Sequence, residues 1–113
     1  MSDPIKSAFA AVILLSVATV ASAQTPAQIA QGEKVYAAQR CAICHSVAGK
    51  GNPRGALDHV GTKLTAEEIR LWMTDAEGMT AKTNAPRKPP MRSYPKIEKA
   101  DLDALVAYMQ SLK

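Results

Sequence analysis

The chain has 113 residues, 47% of them apolar but only 4% aromatic, with 14 basic and 10 acidic side chains and a formal charge of +4. That length holds one domain. The positive balance is moderate and diffuse, with no basic helix or aromatic stacking pattern, which argues against a nucleic-acid partner and suits an acidic protein partner.

Ala8 to Ala23 is an apolar run behind a short start containing Lys6, and it ends in Ala21-Ser22-Ala23. A short apolar run closed by an A-x-A pattern is expected to be a secretory signal peptide over 1–23, cut before Gln24. An uncleaved anchor is the alternative. No cysteine follows the run and no twin arginine precedes it, so general export is expected. Residues 24–113 then form the domain, placed in the periplasm with no membrane span of its own. Asp3 and Lys6 leave together, so its charge stays +4.

Thr25-Pro26-Ala27-Gln28 predicts a helix start, with Thr capping, Pro in the first turn and Gln28 completing a capping box. Ile29, Gly32 and Tyr36 share a face up to about Ala38. A mid-helix glycine costs about 1 kcal/mol against alanine, which makes sense if another helix crosses there.

Cys41-Ala42-Ile43-Cys44-His45 follows. Two thiols three positions apart with a histidine next is the attachment sequence for c-type haem. Each thiol adds to one vinyl group of the porphyrin, and the vinyls lie on neighbouring pyrroles, so the thiols must sit about one helical turn apart. The neutral imidazole of His45 then falls under the iron. A thioredoxin-like pair, half a zinc site and a short disulfide are the other readings of CxxC. Zinc lacks further ligands beyond His59 and carboxylates, a thioredoxin-like domain needs alternating strands and helices, and none of the three needs His45. With both cysteines used as thioethers no disulfide is expected. A bound porphyrin would also supply the core that a small, aromatic-poor chain lacks.

Residues 46–63, with glycines at 49, 51, 55 and 61 and Pro53, read as loop. Thr65-Ala66-Glu67-Glu68 is a second capping box and opens a helix to about Thr74 carrying Ile69, Trp72 and Met73. Residues 76–97, with prolines at 86, 89, 90 and 95, are expected to form one long extended segment. Leu102, Leu105, Val106, Met109 and Leu112 give a helical stripe over Lys99–Leu112. With no strand signals, the expectation is an all-α fold.

His59, Met73, Met79, Met91 and, remotely, Met109 are candidates for a second iron ligand. Met73 and Met109 lie at helical spacing and suit packing. Met79 falls in a loop just after a helix. Met91 lies between Pro89-Pro90 and Pro95, and prolines stiffen the backbone around a weakly bound thioether. Met91 is the preferred ligand.

With these residues in place, the chain resembles the class I cytochromes c, especially small bacterial monohaem members. CAICH is similar to the family's haem sequence, GNP at 51–53 to its following proline, PPMRSYPKI at 89–97 to its methionine loop, and ADLDALVAYMQSL at 100–112 to its last helix. The resemblance implies three to five helices around one haem c, attached through Cys41 and Cys44. It implies His45 and Met91 as axial ligands and the Pro53 carbonyl as acceptor for the His45 Nδ1 proton. Gly32 and Tyr36 would pack on Leu105 and Tyr108. Arg92 stands where many relatives carry proline, and Glu98 where a Ser or Thr cap is usual. The implied function is a monomeric periplasmic electron carrier, not an enzyme, passing single electrons between acidic redox partners. A permanent electron-transfer subunit of a periplasmic dehydrogenase would carry the same motifs. A gas sensor or small peroxidase with an open sixth position is a further reading, against which the prolines around Met91 weigh.

Overall fold

The computed structural model describes residues 24–113; the expected signal peptide lies outside the described residues. Five α-helices and one two-stranded hairpin follow one another along this stretch. The helix α1, Pro26–Ala38, starts as expected: Thr25 is extended and its hydroxyl accepts from the Gln28 N–H at 3.1 Å, while Pro26 occupies the first turn. Only this half of the capping box forms among the described residues.

The last helix, α5, spans Lys99–Ser111 and is the centre of the core, burying Leu102 and every residue from Ala104 to Met109. It crosses α1 at Gly32. A Cβ on Gly32 would lie 2.6 Å from the Tyr108 Cβ and would overlap the Ala104 carbonyl oxygen, so only glycine lets the two backbones approach this closely. One turn on, the Tyr36 and Tyr108 rings meet edge to face, with centroids 5.8 Å apart. The crossing is the expected one. The atoms facing Gly32 belong to Ala104 and Tyr108, while Leu105 joins the surrounding apolar cluster.

The helix α2 is a single turn, Val60–Lys63, and α3 spans Ala66–Thr74. The capping box of α3 is complete: Thr65 Oγ1 accepts from the Glu68 N–H at 3.2 Å, and Glu68 accepts from the Thr65 N–H at 2.8 Å. Ile69 and Met73 point into the core. Arg70 reaches Asp103 of α5 at 2.6 Å, and Lys99 bonds the same carboxylate at 2.8 Å, tying α3 to α5.

Two expectations change. Residues 76–97 are not extended throughout, because Ala76–Thr83 forms α4. Asp75 accepts from the Gly78 N–H at 3.1 Å, Ala76 and Met79 are buried one turn apart, and Asn84 ends the helix in the left-handed conformation. The prolines begin only at 86, past this helix. Met79 is therefore a core residue of a helix, 5% exposed, and not a loop residue. Second, residues 46–63 are not loop throughout: Ser46–Val47 and Lys50–Gly51 pair as antiparallel β1 and β2, and Val60–Lys63 is α2. Ala48 (φ 51°) and Gly49 (φ 78°) form a two-residue loop with both φ values positive, and the Asp58 carboxylate accepts from the Ala48 N–H at 2.9 Å.

Candidate functional site

The cysteine–histidine motif sits where α1 runs out. Arg40 takes the left-handed conformation (φ 57°), breaks the helix and starts a 3-10 turn over Cys41–Ile43. The Cys41 carbonyl accepts from the N–H groups of Cys44 at 3.1 Å and His45 at 2.9 Å. This turn brings both sulfurs and the imidazole into one compact segment. Cys41 is half-buried against the core cluster, Cys44 is exposed, and both are free thiols. Burial pushes the Cys41 thiol up to about 11. Among the described residues no group of three or more His, Cys, Asp or Glu side chains is placed to hold a metal ion. His59 is exposed, in a turn before α2.

His45 is oriented by a carbonyl, though not the expected one. Its Nδ1 lies 2.9 Å from the carbonyl oxygen of Gly55. A carbonyl can only accept, so the proton is on Nδ1 and the Nε2 lone pair is free for a metal. Pro53 is exposed and does a different job: it opens the 3-10 turn Pro53–Gly55, capped by Asn52, which carries the chain round until Gly55 faces the ring. Burial holds the His45 imidazolium below its ordinary value. The bond to Gly55 opposes this, and the nearby Arg87 guanidinium adds to it.

Asn52, Gly55 and Arg87 are the residues that sequence reasoning missed. The Asn52 N–H donates to the carbonyls of Ala42 (3.1 Å) and His45 (2.9 Å), its Nδ2 donates to Ile43 at 3.1 Å, and its Oδ1 accepts from the Arg54 N–H at 3.0 Å. One residue thus ties the motif to the loop that orients His45. Asn before Pro is a turn signal that could have marked it.

Met91 is half-buried and packs against the same core cluster as Cys41. The loop around it is held from the far side. Tyr94 N–H donates to the Met73 carbonyl at 2.7 Å, and the Ser93 hydroxyl accepts from the Ala76 N–H at 2.8 Å while donating to the Glu77 carboxylate. These bonds anchor the segment after Met91 even though Arg92 is not proline. Met91, Pro90, Arg92, Glu77 and Thr80 line a hollow of about 330 Å³. The Thr80 hydroxyl is buried without a hydrogen-bond partner, as is that of Tyr36 at the α1–α5 crossing. Unpaired buried hydroxyls are rare in a closed core and fit a site completed by a bound group.

The donors suit a covalently attached porphyrin: two free thiols within one turn, an imidazole with a free Nε2, and a thioether beside the same core. Met73, Met79 and Met109 are all buried within helices.

Over 92 residues the chain is 28% identical to cytochrome c oxidase subunit 2 of Alkalihalophilus pseudofirmus, a match covering 74% of this chain and 25% of that protein. The chain thus spans about a quarter of that relative's length. No solved structure matches it at a significant level. The cytochrome c family model matches residues 29–113, covering every helix but the first few residues of α1. On that match the chain belongs to the cytochrome c family, in which haem is covalently bound and electrons pass to and from redox partners.

Proposed function

We propose that residues 24–113 are a soluble periplasmic monohaem cytochrome c, released from a signal peptide, that carries single electrons between acidic partner proteins. The observation that carries this reading is the His45 Nδ1–Gly55 bond, which leaves Nε2 free for iron. Cys41 and Cys44 would hold the haem through thioethers, and His45 and Met91 would ligate its iron. When bound, the haem supplies a one-electron ferric/ferrous couple, whose potential is raised by His/Met ligation. The chain's own part is to keep that couple in one geometry. Asn52 and Gly55 fix the imidazole, and Ser93 and Tyr94 brace the loop carrying Met91. Cys44 and Ile43 (63% exposed) leave the rim of the motif open to a partner.

The test is an absorption spectrum of the exported protein in both oxidation states. The ferric form is expected to show the weak red thioether-to-iron band. Met91→Ala should abolish it and lower the potential, while Met79→Ala should leave it in place. Loss of the band in Met79→Ala alone would refute the ligand assignment.

A second reading has a specific observation behind it: the matched relative is a subunit of an oxidase, and the match covers only part of it. The domain would then work permanently docked in a redox complex, such as a periplasmic dehydrogenase. Co-purification of a stoichiometric partner would favour this reading over a free carrier.

A further inference from the structure

Arg87 lies in the proline-bounded segment before Met91, yet its guanidinium reaches back to the cysteine–histidine loop. It occupies the space where Gly55 has no side chain: a Cβ on Gly55 would overlap both the guanidinium and the Cys44 carbonyl oxygen. The same Gly55 carbonyl accepts from His45 Nδ1. Arg87 is half-buried, and among the described residues it enters no ion pair; both ion pairs there are made to Asp103. Its neighbours Lys88 and Arg92 are exposed.

We propose that Arg87 is a positioning residue that sets the reduction potential, by holding a permanent positive charge beside Gly55, the residue that orients His45. The inference rests on His45 as an axial ligand. Arginine stays charged at every pH the protein meets. Loss of an electron adds positive charge at the metal beside His45, and a fixed cation nearby opposes that change more strongly in a partly buried site than in water. Glycine at 55 is what gives the guanidinium room.

The experiment is spectroelectrochemical titration of the haem-loaded wild type, Arg87→Gln, Arg87→Lys and Lys88→Gln, with proton spectra of each ferric form. Arg87→Gln is expected to raise the ferric-to-ferrous ratio at fixed potential by about threefold to tenfold, given the strength of charge interactions at half-buried sites. Its hyperfine-shifted imidazole resonances should move. Arg87→Lys should keep most of the wild-type midpoint, and Lys88→Gln, which removes an equal but exposed charge, should shift it much less. An Arg87→Gln midpoint equal to wild type, or a Lys88→Gln shift as large, would overturn the proposal. If Arg87→Gln does not assemble, Arg87→Met keeps an aliphatic stem and removes the same charge: a shifted midpoint supports the proposal and a wild-type midpoint overturns it. Absence of shifted imidazole resonances in the wild type would overturn the ligand assignment and this inference together, whereas their presence with an unmoved midpoint would overturn the inference alone.

Discussion

Asn52 joins three pieces of the cysteine–histidine loop, and its side chain contributes two of the bonds. Neither replaces a core contact, so Asn52→Ala should leave the fold intact while removing two hydrogen bonds of about 1 kcal/mol each. A loss of about 1–2 kcal/mol in denaturant unfolding of the haem-loaded protein is expected. An unchanged midpoint would mean that water replaces both bonds at no cost. At this scale the cysteine–histidine segment is legible from its spacing alone, because thioether attachment of a porphyrin would need two thiols about one turn apart. The carbonyl partner of His45 is not legible. Whether Pro53 or Gly55 faces the ring depends on how a 3-10 turn rotates the chain, and loop composition does not encode that rotation.

Between elements, the α1–α5 crossing and the α3–α5 tie carry the architecture. Gly32→Val would drive side-chain atoms into the Ala104 carbonyl and Tyr108, and overpacking of this kind costs about 1–3 kcal/mol. Gly32→Ala should also lower the melting temperature, despite alanine's better helix propensity; a rise would show that the helices can move apart. Asp103 bonds Lys99 and Arg70, and these two contacts hold its carboxyl below the usual range. A carboxyl depressed in the folded state adds stability above its unfolded value, and this is lost as pH falls through the folded value. Asp103→Asn should therefore melt below wild type at pH 7, by an amount in the exposed ion-pair range of about 0.2–1 kcal/mol. The gap should narrow below the ordinary value of 3.8 and close in stronger acid. A gap independent of pH would point to lost packing instead. The helix α4 was hidden at this scale: Gly78 and two threonines give it weak propensity. What stabilises it is the Asp75 cap, the burial of Ala76 and Met79, and the bond from Ala76 to Ser93, seventeen residues away.

Across the whole molecule, charge is unevenly spread. Lys82, Arg87, Lys88, Arg92, Lys96 and Lys99 lie within 82–99 against the single acid Glu98. All but Arg87 are exposed. Grouped around the Met91 loop, they would steer an acidic partner toward that side. The second-order electron-transfer rate with such a partner should fall as the Debye length shortens from about 30 Å at 0.01 M salt to about 8 Å at 0.15 M. A flat rate would separate the basic loop from docking. No helix among the described residues is long and apolar enough to cross a membrane.

By itself the sequence determined the helical class and the outer helices with their glycine crossing, and it marked the cysteine–histidine segment by its spacing. Each of these is written in local spacing: thiols one turn apart, capping residues, a stripe of period 3.6. Tertiary structure alone decided which carbonyl orients His45, that Ala76–Thr83 is helical, that Met79 is core, and that Arg87 comes to rest against Gly55. These outcomes depend on contacts between residues distant in the chain, where burial and hydrogen bonding outweigh local propensity.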